Sequence, residues 1–170
     1  STAFGCTFEG TVSEDWVIEM ADLLAKAGAD SIGLSDTTGY ANPAQIKRMF
    51  RRLHGEIGAE KMAGAHLHNT RGQGLANVLA ALEVDVTTFD SSLGGLGGCP
   101  YAPGATGNIV TEDLVFMLEA MGLRTGVDVD ALIAAREVLL RGLPDETIYG
   151  NVPAVGLPKG FAYAGNKSAT

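Results

Sequence analysis

Lys61-Met-Ala-Gly-Ala-His-Leu-His-Asn-Thr70 is an apolar run of strand length that ends in a cluster of polar residues, and that ending decides the fold. His66 and His68 stand two apart on the expected strand, so both side chains point to one face. The same order recurs on either side of this stretch: an amphipathic helix, a short apolar strand, then polar residues where the strand ends. Upstream, Ser13 caps a helix whose apolar positions Trp16, Val17, Met20, Leu23, Leu24 and Ala27 keep a helical period, with Gly28 as its stop. Ser31 to Leu34 is the next expected strand, and it delivers Ser35-Asp-Thr-Thr-Gly39. Asn42 and Pro43 start a second helix, whose Ile46, Met49, Phe50 and Leu53 are expected to pack inward. Downstream come a helix over Gln73 to Leu82 and a strand over Val84 to Asp90. A strand end is also expected at Ala3 to Cys6, followed by Gly5-Cys-Thr-Phe-Glu-Gly10.

Alternating helices and strands imply a parallel sheet with right-handed crossovers, whose chemistry gathers at the C-terminal strand ends. A TIM (β/α)8 barrel fits this order best, but such barrels take about 250 residues and eight strands. With 170 residues and about four strands, the chain is expected to form an α/β half-barrel with added C-terminal helices. An open doubly wound sheet is the alternative architecture. Residues 1–142 are expected to form the partial barrel, including helices near Thr111 to Met121 and Asp130 to Arg141. Residues 143–170, rich in Gly and Pro, are expected to be an irregular tail.

A formal charge of -8 argues against a general nucleic-acid or anionic-membrane surface, because phosphate binding needs a basic patch. The only local basic group, Lys47-Arg48 with Arg51-Arg52, reads as a solvated helix face. No apolar run reaches the length of a membrane span, so a soluble protein is expected, and a thiol placed like that of Cys99 favours a reducing, cytoplasmic setting. Two cysteines, Cys6 and Cys99, are too few for a disulfide framework.

After the third strand comes Phe89-Asp-Ser-Ser-Leu-Gly-Gly-Leu-Gly-Gly-Cys-Pro-Tyr-Ala-Pro-Gly-Ala-Thr-Gly-Asn108, a glycine-rich loop too long for a simple connection. Glycines beside Cys99 leave its thiol accessible, and a nearby cation would lower its pKa. The loop lacks the order of a dinucleotide-binding turn. The His66-x-His68 pair has a plain structural reading as well as a metal-binding one, and its place at a strand exit favours metal. Further ligands are sought among Asp36, Asn69, Asp90, Asn108 and Glu112. Asp36 and Asp90 are equally candidates for orienting ligands or capping helices. Cys6 is expected to be structural or to support the site, and His54 to lie at the surface.

Taken together, Gly5-Cys-Thr-Phe-Glu-Gly10, Ser35-Asp-Thr-Thr-Gly39, His66-Leu-His-Asn-Thr-Arg-Gly-Gln73 and Gly94-Gly-Leu-Gly-Gly-Cys-Pro-Tyr-Ala102 resemble the C-terminal half of the 3-hydroxy-3-methylglutaryl-CoA lyases. The likeness covers roughly Phe4 to Leu140. It implies a divalent cation, Mg or Mn, held by His66, His68 and Asn108, with Cys99 as the catalytic thiol and His66 also at the reacting centre. Asp36 and Thr37 would then orient the metal or contact substrate, and Glu112 would hold the Asn108 segment. The implied reaction is a retro-Claisen cleavage of an acyl-CoA substrate to acetyl-CoA and a keto acid. Citramalyl-CoA or another 3-hydroxyacyl-CoA is an alternative substrate, and a non-catalytic half-barrel interaction module an alternative role. The resemblance also implies a homo-oligomer or a partner N-terminal half-barrel, since the family's Arg-Asp pair and a glutamate have no equivalent here. Two departures stand out: Thr7 replaces a common proline, and Asn69 a common aspartate. The chain alone is therefore expected to bind metal weakly and turn over little.

Overall fold

The computed structural model describes residues 1–98 and 107–166. Its contacts divide the chain into two units, Ser1–Asp90 with Gly97–Asn108, and Ser91–Leu96 with Ile109–Thr170.

The first unit is the repeated helix and strand pattern made solid. Its elements are α1 (Glu14–Lys26), β1 (Ile32–Asp36), α2 (Pro43–Ile57), β2 (Met62–Leu67), α3 (Gly74–Leu82) and β3 (Phe89–Asp90). The strands form a parallel sheet in the order β1, β2, β3. Both expected caps are present: the Ser13 side chain accepts from Trp16 N, and Asn42 from Gln45 N. Each satisfies a backbone N–H that the first helical turn leaves free. The inward face of α2 is as expected, with Ile46, Met49, Phe50 and Leu53 fully buried. Leu34, Ala65 and Leu67 form the buried side of β1 and β2, and Val78 and Ala81 of α3 are also buried. The basic group on α2 is a paired outer face: Arg48 and Arg52 reach Glu14, Arg52 also reaches Asp15, and Lys47 reaches Glu83.

Gly64 explains how two strands come so close at the base of the sheet. Its φ is 145°, and a Cβ there would collide with the carbonyl oxygen of Thr88, so only glycine fits.

Three expectations shift. Only Phe89–Asp90 of the Val84 to Asp90 run is a strand, where it pairs with Ala65 and His66 of β2; Val84 and Val86 are buried without joining a ladder. Ala3 to Cys6 is not a strand either. It offers β1 one bond, Ala3 N to Ser35 O, and then closes on itself through a Cys6–Gly10 bridge. On α1 the buried positions are Ile18 and Ala21, whereas Trp16, Leu23 and Leu24 are exposed. The apolar stripe of that helix has no cover within its unit.

The second unit contains α4 (Thr111–Ala120), α5 (Val129–Gly142) and α6 (Val152–Val155), around a small core of Val115, Val129 and Val152 packed by Phe116, Leu132, Ile133, Leu157 and Tyr163. Three buried carboxylates of α4 organise it. Glu112 receives Gly94 N at 3.0 Å and Arg136 Nη1 at 2.9 Å. Asp113 receives Asn151 N and Val152 N, which caps α6. Glu119 receives the Thr125 N–H and hydroxyl and the Ala164 N–H, and these bonds hold its carboxyl below the usual range despite the opposing push of burial. Asn151, Val152 and Ala164 of the C-terminal segment are thus tied to α4. Among the described residues, no helix is long and apolar enough to cross a membrane.

Candidate metal centre

Side chains alternate across the sheet, so residues opposed in register share a face. Ser35 opposes His66, and His66 opposes Asp90, which makes one polar row at the C-terminal strand ends. The row borders an open cavity of about 260 Å³, which Gly33, Ala63, Gly64 and Thr88 also line. The two histidines of the pair converge here. His66 Nε2 lies 3.1 Å from His68 Nε2, and His66 Nδ1 lies 3.3 Å from Asp90 Oδ2. An Nδ1–H donated to Asp90 leaves the Nε2 lone pair of His66 facing its neighbour.

At that separation the two Nε2 atoms cannot both present lone pairs unless a proton or a cation lies between them. Two nitrogens about 2.1 Å from one cation and about 90° apart would stand about 3.0 Å from each other. The pair therefore fits adjacent positions on a divalent ion. Burial, helped by the neighbouring His66, pushes the His68 pKa down to about 4, which keeps the ring neutral as a ligand must be. His68 Nδ1 is buried with no hydrogen-bond partner among the described residues.

Asn108 is brought to the same place by backbone pairing. It forms an antiparallel bridge with His68, and Asn69 N donates to Gly107 O at 3.0 Å. Gly97 lies so close that a Cβ there would be 2.6 Å from Asn108 Nδ2. His66, His68, Asn108 and Asp90 thus gather in one unit. The described residues contain no cluster of three or more His, Cys, Asp or Glu able to hold a metal.

Asp36 is fully buried, and its two oxygens receive Tyr40 N at 2.8 Å and Ala41 N at 3.1 Å. It shapes the loop after β1. Burial raises its carboxyl above the usual range, against the pull of those two N–H groups and of Arg71. Thr37 Oγ1 accepts from Thr2 N, and Thr38 donates to Gly5 O at 2.8 Å, which joins the N-terminal segment to the loop after β1. Glu112 belongs to the second unit and holds Gly94, where the glycine run begins. Cys99 lies outside the described residues.

Arg71 escaped the sequence argument. Its guanidinium donates to the carbonyls of Thr38 and Gly39, both at 3.0 Å, and stands 4.4 Å over the Tyr40 ring. Its one sequence signal was its place inside the His66 motif.

The HMGL-like family model matches residues 1–139. The chain belongs to that family. It is 46% identical over 135 residues to a Bacillus subtilis hydroxymethylglutaryl-CoA lyase, covering 79% of this chain and 45% of that protein. It is 47% identical over 137 residues to a Chloroflexus aurantiacus (R)-citramalyl-CoA lyase, covering 81% and 43%. Among solved structures, an HMG-CoA lyase of Acinetobacter baumannii in complex with coenzyme A and 3-methylmalate superposes with a TM-score of 0.87 at 46% identity, over 95% of this chain and 52% of that one. The chain spans about half the length of the curated relatives it matches. Family and superposition agree with a partial (β/α) barrel, of which β1, β2 and β3 are the strands seen here.

Proposed function

We propose that this chain supplies the metal-binding half of a carbon-carbon lyase that cleaves 3-hydroxy-3-methylglutaryl-CoA to acetyl-CoA and acetoacetate. The observation that carries the proposal is the 3.1 Å approach of His66 Nε2 and His68 Nε2, with Asn108 paired to the same strand end. His66, His68 and Asn108 would hold Mg or Mn. When bound, such an ion polarises hydroxyl and carbonyl oxygens of a substrate.

The chain's own residues prepare the rest. Asp90 orients His66, burial keeps His68 neutral, and Asp36 with Arg71 sets the shape of the loop carrying Thr37. Cleavage removes the proton of the 3-hydroxyl, breaks the bond between C2 and C3, and leaves an enolate of acetyl-CoA. The enolate carbon then takes a proton from the Cys99 thiol. The hydroxyl proton passes to solvent and the Cys99 thiolate regains one from solvent, so the cleavage closes with no net change of protons and no further reactant.

The other half of the barrel completes this centre. Two surfaces of the first unit support that view: the outer edge of β1, which among the described residues receives only the Ala3 N–H, and the exposed stripe of Trp16, Leu23 and Leu24 on α1. Both would be covered by a further strand and helix. Citramalyl-CoA is the alternative substrate, favoured by the equally high identity to the Chloroflexus enzyme.

Assaying the chain with and without a supplied N-terminal half-barrel, against both thioesters and with added Mn, tests these points. Activity with HMG-CoA only in the presence of that half is expected. Release of acetyl-CoA from citramalyl-CoA alone would transfer the assignment to the second substrate, and no lyase activity in any combination would overturn it. Calorimetric titration of the isolated chain should show only weak Mn binding; tight stoichiometric uptake would show that its ligand set is already complete.

A further inference from the structure

We propose that Asn69 is a positioning residue that sets the distance between Asn108 and the histidine pair. The inference rests on the metal centre proposed above and names a residue outside its ligand set.

Asn69 makes three bonds in three directions. Its side-chain Oδ1 accepts from Gly74 N at 2.9 Å, its backbone N donates to Gly107 O at 3.0 Å, and its backbone O accepts from Gly72 N at 2.8 Å. The residue in the formal cap position of α3, Gln73, has no side-chain cap bond. Asn69 therefore performs that task from five residues upstream. In doing so it anchors the turn 69–73 to a helix whose Asn77, Val78, Ala80 and Ala81 are buried.

The consequence lies on the opposite side of the residue. With the side chain anchored to α3 and the carbonyl fixed by Gly72, the peptide plane preceding Asn69 cannot rotate freely, and its N–H stays aimed at Gly107 O. That bond belongs to the same backbone pairing that sets Asn108 opposite His68. The Oδ1 to Gly74 contact, though remote from any ligand atom, thus fixes where the amide donor stands relative to the two Nε2 atoms. It also assigns the Asn69 oxygen to a helix N–H, which accounts for the tolerance of a neutral amide at this place: Asn and Asp cap equally well. Outer contacts of this kind typically change metal affinity by about 10- to 100-fold.

The test uses the full 170-residue chain. Wild type, Asn69→Ala and Asn69→Asp are compared by amide hydrogen exchange without metal, and by Mn affinity from water-proton relaxation, which reads weak binding. The expected result is that Asn69→Ala loses protection at the amide of residue 69 and at Gly74 while Ala65 in β2 stays protected, and that Mn binds about tenfold or more weakly. Asn69→Asp, which keeps the acceptor, restores both amides and binds Mn at least as well as wild type. The inference is overturned if Asn69→Ala loses protection at Gly74 alone and binds Mn like wild type, for then the side chain only caps a helix. It is also overturned if Asn69→Asp fails to restore the amide of residue 69. Should Asn69→Ala lose protection at Ala65 as well, Asn69→Ser, with a shorter acceptor, is judged by the same two amides. Absence of Mn binding by wild type would sink the metal centre itself, and the amide of residue 69 would still decide whether Asn69 holds Gly107.

Discussion

Replacing Arg136 with Met should destabilise the second unit more than removing the whole ion pair of which it is part. Glu112 is fully buried, and the side chain of Arg136 is only 13% exposed. The guanidinium donates to Glu112 Oε1 at 2.9 Å, to Tyr149 O at 2.6 Å and to Ile148 O at 3.3 Å. In Arg136→Met the Glu112 carboxylate keeps, among the described residues, a single donor, the Gly94 N–H, in a place without access to water. Stranding one partner of a buried pair costs about 3 to 5 kcal/mol. The two carbonyls also lose their donor, but Tyr149 is exposed and water can replace it at small cost. Glu112→Met with Arg136→Met removes the stranded charge and retains apolar volume, so the double variant should recover about half of the loss or more. Amide exchange within α4 under native conditions measures the local opening free energy without requiring a single global transition. A loss below about 1 kcal/mol in Arg136→Met, or a double variant less stable than the single one, would refute the reasoning. Because Glu112 also holds Gly94, the same variant should raise exchange at Gly94 first.

Four further outcomes follow from the site. Asp90→Asn should weaken Mn binding about tenfold, because an amide holds the His66 Nδ1–H less firmly than a carboxylate; unchanged affinity by calorimetry would remove Asp90 from the centre. Cys99→Ser should abolish lyase turnover in the completed barrel while leaving Mn affinity unchanged, and persistent turnover would exclude the thiol as proton donor. Arg71→Met should loosen the loop after β1 at a cost of about 1 to 3 kcal/mol, read as faster exchange at Tyr40 and Ala41, and slow exchange there would show that Asp36 alone holds it. His68 has a folded pKa lowered from 6.5 to about 4, so its contribution to stability is present above 6.5 and lost as pH falls through the window between the two. By pH 5 the loss is about 2 kcal/mol, visible in urea titrations of the metal-free chain and absent in His68→Gln. Asp36, whose carboxyl is raised, works in the opposite sense and offsets part of that loss as pH falls toward the usual carboxylate range.

Much of the fold was legible from local chemistry. Ser13 and Asn42 announce helix starts because their side chains satisfy backbone N–H groups within three residues, a contact independent of the rest of the molecule. Ile46, Met49, Phe50 and Leu53 announce the inward face of α2 by their spacing alone. The exposed stripe on α1 shows where such spacing stops being informative: periodicity says that a face is apolar, and only the presence of a neighbour says that it is buried. β3 shortens for the same reason, since a strand is counted by its partners.

The sequence by itself determined the kinds of group at the strand ends and, through motif resemblance, the family: an H-x-H pair, an aspartate at a strand exit, a glycine-rich loop and a following asparagine. Local rules of capping, period and strand alternation suffice for that, because they act between residues a few positions apart. Tertiary structure decided which groups meet. His66 and Asp90 become neighbours through parallel register, and Asn108 reaches His68 through a bridge anchored by Asn69. Asp36 turns its oxygens to its own loop, and Glu112 finds Gly94 and Arg136 in the second unit. Apart from the local turn of Asp36, these pairings join residues 18 to 40 positions apart, where chain connectivity imposes almost nothing and packing against a common sheet or helix sets the distance.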